Sequence, residues 1–258
     1  MSWYVKQLFI MVLSTLFCDM NGMEKQQQIF MVKEPLSMVQ RKMIACALSK
    51  LLFVEKEKIL HIGFRCEDII QEKSCGCQAY CIEADTLGML GKPEVGYDKI
   101  LSFACWDVIA KPQALFTNSV TLLKENGQFC AVLPYYKSPY LAIHGETLMS
   151  DTWKDRYDKT GMVGFYGTKG VKQLLEKAGF NDTKCFIIKK PFIFKTKEKL
   201  TSWIASCPEQ LHLLPRQDHA EFINDVVTNY LQEYPLKDDT SIKLYLPYMI
   251  VRASKSQK

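Results

Sequence analysis

The fold of this chain is constrained most strongly by one short apolar run that ends on glycine, Lys58-Ile59-Leu60-His61-Ile62-Gly63. A run of this length, bounded by charged residues, is typical of a buried parallel strand that leads into a loop. Because strands and helices alternate after it, the sequence predicts an α/β fold with a Rossmann-like, mostly parallel sheet and helices on both faces. The other predicted elements of this core are strands at 79–83, 97–103 and 128–133 and helices at 36–53, 112–124 and 168–178.

The C-terminal part of the chain predicts an insertion into this fold. Helical patterns at 196–206 and 215–234 lie between a strand predicted at 183–194 and a closing strand predicted at 241–253. Two helices placed between two strands of one sheet must pack over an end or a face of that sheet. We therefore expect residues 195–240 to form a helical cap insertion near the C-terminus.

The sequence also predicts how the whole chain is divided. Residues 1–28 are expected to be an N-terminal extension and residues 29–258 the α/β domain, in which the aromatic-rich stretch 135–167 is a connecting or lid-like region. The apolar run Leu8–Phe17 has the length of a signal-peptide core, but it is too short for a stable membrane span and no small-x-small cleavage site follows it. A cytoplasmic protein is predicted, and the alternative is export if residues 1–22 act as a signal peptide.

The composition is that of a globular protein with a hydrophobic core. Of the 258 residues, 48% are hydrophobic and 24% are charged, which allows a sizeable core to be buried. The formal net charge is +5, but Lys and Arg are interleaved with Asp and Glu along the whole chain, so a solvated surface and no nucleic-acid partner are predicted. The ten cysteines are widely spread and include no CxxC pair, which favours reduced thiols and predicts no metal site.

Several stretches, taken in order, carry a resemblance to a known family. They are Met38-Val39-Gln40-Arg41, Ile59–Gly63, Ile100–Trp106, Leu122–Gln128, Leu174–Phe180 and, near the C-terminus, Leu246–Val251. With this order and spacing the chain resembles the class I S-adenosylmethionine-dependent methyltransferases, in particular the group of trans-aconitate and juvenile hormone acid methyltransferases, from about Phe30 to Lys255. The resemblance implies S-adenosylmethionine as the cofactor and methyl transfer to a small-molecule carboxylate or another oxygen acceptor.

The resemblance also implies which residues form the two halves of the site. Glu83 lies 20 residues after Gly63, where an acid binds the ribose hydroxyls, and Asp85 is an alternative acid for the adenine side. The implied cofactor-binding residues are Gly63, Phe64, Glu83, Asp85, Phe103 and Ala104. The implied substrate-binding residues are Gln40, Trp106, Trp153, Arg156 and Tyr157. Methyl transfer requires alignment more than acid or base groups, so no catalytic residue is predicted.

The sequence departs from the family's pattern at three places. The glycine loop is written Gly63-Phe64-Arg65-Cys66-Glu67, so only its first glycine is present, and His61 replaces the usual strand-end acid. Gly63 to Asp98 spans 35 residues, which is room for one βαβ unit of about 30 residues where the family has two. Two hypotheses follow: a methyltransferase with reduced or lost activity, or an inactive pseudoenzyme that serves as a binding or regulatory module.

Overall fold

The computed structural model describes residues 37–63, 67–74, 76–82, 96–103, 112–157, 167–207, 211, 213–236 and 241–255. Within these ranges helices and strands alternate along the first half of the chain, as the sequence predicts. The helices are α1 (Met38–Leu48), α2 (Glu67–Lys73), α3 (Pro112–Leu122), α4 (Pro139–Leu148), α5 (Thr168–Ala178), α6 (Lys197–Ala205) and α7 (His219–Glu233), with one 3-10 turn at Arg216–Asp218. The strands are β1 (Lys58–Gly63), β2 (Gln78–Ile82), β3 (Tyr97–Phe103), β4 (Leu123–Pro134), β5 (Phe180–Ile188), β6 (Phe192–Phe194), β7 (Ile242–Leu244) and β8 (Tyr248–Lys255).

Six of these strands form one sheet in the order β2-β1-β3-β4-β8-β5. The strands β2, β1, β3 and β4 are mutually parallel, whereas β8 runs antiparallel to both β4 and β5. The predicted Rossmann-like, mostly parallel sheet is therefore confirmed. Since β5 runs in the same direction as β4, the carboxyl ends of β1, β2, β3, β4 and β5 all lie at one edge of the sheet.

Helices cover both faces of the sheet because the strands alternate their buried side chains between two cores. Leu60 and Ile62 of β1 face a core formed with α3 and α5. Ile59 of β1, together with Leu101 and Phe103 of β3, faces a larger core that contains α1, α4, α6 and α7. The covering of both faces explains why the central strands are almost wholly apolar.

The segment between β5 and β8 has a small sheet of its own, and the prediction that residues 195–240 form a helical cap insertion stays a prediction. Strand β6 pairs antiparallel with β7, and α6 and α7 lie between them in the chain. Tyr230 of α7 joins the helical part to the end of this sheet, because its hydroxyl donates to the Lys243 carbonyl at 2.8 Å and accepts from the Tyr245 amide at 2.7 Å. Its ring stacks on Tyr234 and lies edge-on to Tyr140 of α4.

The structure differs from the sequence prediction in the middle and at the end of the chain. The predicted connecting region contains α4, which begins at the Ser138 cap with Pro139 in its first turn and buries Tyr140, Ile143 and His144. The predicted strand 183–194 is two strands, β5 and β6, separated at Pro191, whose ring removes a donor and ends the ladder. The division of the chain into residues 1–28 and 29–258 stays a prediction, because residues 1–36 lie outside the described ranges.

Replacing Tyr230 with Phe is expected to lower the free energy of unfolding by about 1–2 kcal/mol, because the partly buried Tyr245 amide loses its acceptor. Urea denaturation measures the change. Tyr234→Phe is the matched control, since no hydrogen bond of its hydroxyl holds the strand, and it should change the free energy by less than about 0.5 kcal/mol. Equal effects of the two substitutions would contradict the role given to the Tyr230 hydroxyl.

Candidate active site

The strands β1 and β3 end side by side at the point where the chain changes direction across the sheet. The chain crosses outward from β1 to β2 and then returns past β1 to reach β3, while β4 lies on the other side of β3. The last residues of the two strands, Gly63 and Phe103, are register partners. In open α/β sheets ligands bind beyond the carboxyl ends of the strands at such a switch point, so the candidate site lies above this pair.

Gly63 has a packing role at this junction that needs no ligand. Its φ is +147°, and a Cβ placed on it would lie 2.0 Å from the carbonyl oxygen of Phe103 and 3.2 Å from Nε2 of His61. A contact of 2.0 Å with a backbone atom cannot be relieved by a side-chain rotation. The close approach of β1 and β3 therefore requires glycine here, whether or not a cofactor binds.

His61 is buried at the same junction with both ring nitrogens unpartnered. Its side chain is 0% exposed, and its ring centroid lies 5.9 Å from that of Phe103. Neither Nδ1 nor Nε2 has a hydrogen-bond partner among the described residues. Burial lowers the pKa of His61 from 6.5 to about 4, because the protonated ring would have to be held away from water. The ring is therefore neutral at physiological pH.

The structure describes only two of the six predicted cofactor-binding residues, Gly63 and Phe103, and it brings them together at the end of the β1–β3 pair. The other four, Phe64, Glu83, Asp85 and Ala104, lie outside the described residues. The predicted acceptor residue Trp106 also lies outside them. Their roles stay predictions.

Gln40 lies in the first turn of α1, where it closes a capping box. Its Oε1 accepts from the Ser37 amide at 2.9 Å, and its own amide donates to the Ser37 hydroxyl at 3.3 Å. The same hydroxyl accepts from the Trp203 indole at 3.2 Å, which ties the start of α1 to α6. Gln40 is thus held where α1 meets α6.

The predicted residues Trp153, Arg156 and Tyr157 lie together in the turns after α4. Trp153 is 0% exposed, and its indole donates to Oδ2 of Asp225 at 2.9 Å. The Arg156 guanidinium lies 4.3 Å from the Trp153 ring, and it pairs with Asp218 and, at 3.5 Å, with Glu221. The Tyr157 hydroxyl donates to Sδ of Met149 at 2.9 Å. The indole donor of Trp153 is therefore already used by α7.

A row of ring contacts connects the two groups of predicted acceptor residues. Trp203, which holds the Gln40 cap, contacts Tyr140, and Tyr140 contacts His144. His144 lies edge-on to Phe222, which in turn lies edge-on to Trp153. Sequence reasoning did not identify Tyr140 or His144 as connecting residues, although the Ser138-Pro139 start of their helix was a usable signal.

Chain length limits what can lie outside β2. Thirteen residues, 83 to 95, connect the carboxyl end of β2 to Gly96 at the start of β3 on the other side of β1. One parallel crossover needs about a dozen residues. The thirteen residues are enough for one crossover, and they lie outside the described ranges.

Two further findings concern metals and membranes. The described residues contain no group of three or more His, Cys, Asp or Glu side chains that could hold a metal ion, and Cys46, Cys77, Cys130, Cys185 and Cys207 are free thiols. None of the helices in the described ranges has the length and apolar character needed to cross a bilayer.

Comparison with known proteins identifies the fold. No protein-family model and no curated protein matches the sequence. The YcgJ protein of Bacillus subtilis matches with a TM-score of 0.54 and 11% identity, over 84% of this chain and 99% of that chain. A candidate methyltransferase of Bacillus halodurans matches with a TM-score of 0.53 and 13% identity, over 83% of this chain and 99% of that one. The chain therefore has the Rossmann-like fold found in methyltransferases.

Replacing Gly63 with Ala is expected to destabilise the protein by at least about 2 kcal/mol without any ligand present, because the new methyl group collides with the Phe103 carbonyl. Gly145→Ala is the matched control: nothing lies within 4 Å of its added Cβ, and alanine favours the helix by up to about 1 kcal/mol. Urea denaturation of both variants measures the difference. A Gly63→Ala variant as stable as the wild type would disprove the packing role.

His61 is expected to make the protein less stable in mild acid. Its folded pKa of about 4 lies below the ordinary value of 6.5, so below pH 6.5 the unfolded chain binds a proton that the folded chain excludes. The free energy of unfolding should therefore fall by about 3 kcal/mol between pH 6.5 and pH 4 through this group. Comparison with His61→Leu, titrated in parallel, isolates this contribution, and identical pH profiles would refute it.

Proposed function

We propose that this chain is an S-adenosylmethionine-dependent methyltransferase that acts, with reduced activity, on a small-molecule carboxylate or another oxygen acceptor. The alignment of Gly63 and Phe103 at the switch point carries the proposal, because that edge of a Rossmann-like sheet is where a nucleoside cofactor binds. The sequence resemblance to methyltransferases of small carboxylic acids supports the choice of reaction and acceptor.

The proposed cofactor site combines described and undescribed residues. The backbone at Gly63 and the ring of Phe103 would form its floor, and Phe64, Glu83, Asp85 and Ala104 would complete it. S-adenosylmethionine, when bound, supplies a methyl group on a sulfonium, which is already a strong electrophile. The described residues fit this cofactor only in part, because the side chain at the end of β1 is the neutral His61 rather than an acid that could balance a positive ligand.

The proposed acceptor site uses the residues around the turns after α4. Among these residues, Arg156 is a hydrogen-bond donor that solvent can reach, since 36% of its side chain is exposed. Trp153, in contrast, is buried and its indole donates to Asp225. A planar guanidinium suits a carboxylate acceptor because it can donate two parallel hydrogen bonds. Such an acceptor would compete with Asp218 and Glu221 for Arg156. Gln40, Trp106 and Tyr157 remain the other proposed contacts.

The second candidate function is an inactive pseudoenzyme that serves as a binding or regulatory module. The specific observation in its favour is the junction itself: packing alone explains Gly63, and His61 offers no charge to a cationic cofactor. By the resemblance to methyltransferases, Arg65 of the loop sequence would bring a positive charge close to the sulfonium of a bound cofactor. In this second candidate function the chain has the same fold but catalyses no methyl transfer.

Thermal-shift titration with S-adenosylmethionine and S-adenosylhomocysteine separates the two functions. A ligand at a hundred times its Kd stabilises a fold by about 2.7 kcal/mol, which for a chain of this size raises Tm by roughly 5–10 °C. The enzyme proposal predicts such a rise at millimolar cofactor, together with transfer of a labelled methyl group to a carboxylic acid.

The double variant Arg65→Gly with Glu67→Gly tests the cause of a negative result. If the wild type shows no shift and the variant does, the loop side chains block the site and the pseudoenzyme candidate is supported. No shift in either protein would contradict the proposal that this edge binds the cofactor. The pair Lys177→Gln with Glu176→Gln, which removes the same charges from the exposed surface of α5, should behave like the wild type.

A further inference from the structure

A strongly basic surface lies where the chain passes from β5 to α6. Lys189, Lys190, Lys195, Lys197 and Lys199 are all exposed and fall within eleven consecutive residues. Glu198 is the single acid of that stretch. None of the five lysines forms an ion pair with another described residue, whereas Lys99, Lys124, Lys154, Lys184 and Lys255 elsewhere in the chain do. The stretch departs from the even mixing of charges seen along the rest of the sequence.

The small sheet adds one exposed apolar residue to this surface. Phe192 and Phe194 of β6 turn inward and are buried, so Ile193 points outward and is 45% exposed. Its register partner on β7 is Lys243, which is also exposed. We call Ile193 and the five lysines the lysine face. An exposed isoleucine in a stretch with five exposed lysines combines an apolar side chain with positive charge at one part of the surface.

The placement of two of these lysines opposes the stability of α6. Lys197 and Lys199 lie in the first turn of the helix, after the Thr196 cap, where the helix dipole favours acids and disfavours cations. Only Glu198 in this turn follows the preference. Because Lys197 and Lys199 oppose the helix dipole, their presence in this turn indicates a role other than stabilising the fold.

The lysine face lies at the functional edge of the sheet. Lys189 directly follows Ile188, the last residue of β5, and Ile188 is aligned through Tyr248 with Pro134 at the carboxyl end of β4. The candidate site above Gly63 and Phe103 opens at the same edge, since β1, β3, β4 and β5 run in one direction. A partner bound at the lysine face would thus lie at the edge from which ligands approach.

We propose that the lysine face binds the anionic surface of a lipid bilayer and holds the protein there peripherally. All five cations are lysines, which act as point charges towards a diffuse layer of headgroups and lack the fork with which arginine reads phosphates and bases. The exposed aliphatic Ile193 suits insertion among headgroups, and the lysine stems can extend around it. Nucleic acid is less favoured, because the aromatic residues of β6 are buried and give bases no platform for stacking.

Vesicle co-sedimentation of the full chain tests this proposal. We expect binding to vesicles of phosphatidylcholine with about 30% phosphatidylserine, weakening at high salt, and little binding to pure phosphatidylcholine. Each lysine near an anionic surface contributes about fivefold in partitioning, so Lys189→Gln, Lys190→Gln and Lys195→Gln together should weaken binding about a hundredfold. Ile193→Ser should weaken binding further at high salt, where the apolar contact remains.

The triple variant Lys169→Gln, Lys172→Gln and Lys177→Gln is the matched control, because it removes the same charge from exposed positions of α5. The proposal requires this control to bind within a few-fold of the wild type, with both triple variants keeping the wild-type Tm. Equal losses in the two triple variants would show that overall charge is responsible and would overturn the proposal. Lack of vesicle binding by the wild type would also overturn the proposal. If the wild type then binds a single-stranded oligonucleotide and the lysine substitutions weaken that binding, the partner is nucleic acid.

Discussion

The close approach of β1 to β3 at Gly63 determines how the rest of the structure is arranged. A backbone carbonyl lies where any side chain at position 63 would begin, so the two central strands can pair in register only with glycine there. The pairing places the apolar residues of β1 alternately against two cores, and both layers of helices depend on it. The junction also places the ends of β1 and β3 next to each other at the edge where ligands bind in this class of fold.

This constraint changes how the remaining glycine of the loop is interpreted. In the sequence, Gly63 is the part of the glycine loop that matches the methyltransferase pattern. In the structure, packing against Phe103 is sufficient to require it, so its presence says little about a cofactor. His61 is the more informative residue, because a buried imidazole with no described partner is costly to keep and its neutral ring contributes no charge at the end of β1. The fold and the proposed chemistry therefore rest on separate observations, and the chemistry is the one that requires experiment.

Much of the fold could be predicted from the sequence because its strands and helices have strong local signals. The apolar runs that became β1 and β3 and the Thr168–Ala178 helix before Gly179 are found close to where the sequence places them. The helix α4 could not be found by period alone, because its buried face includes His144 and Thr147, which count as polar in a sequence pattern. The division of the strand at Pro191 and the pairing of β6 with β7 depend on partners about fifty residues apart, which no local pattern encodes.

The candidate site was harder to predict than the fold. Sequence resemblance selected Trp153 and Arg156, but only the structure shows that Asp225 and Asp218 already bind them. The sequence could not show that His61 is enclosed, since burial of a single polar residue at a strand end depends on how the helices close over the sheet. An NMR titration of the His61 imidazole in the folded protein tests the packed junction most directly. Burial predicts a neutral ring with a pKa of about 4, and a pKa near 6.5 would show that the end of β1 is open to water and contradict the packed junction.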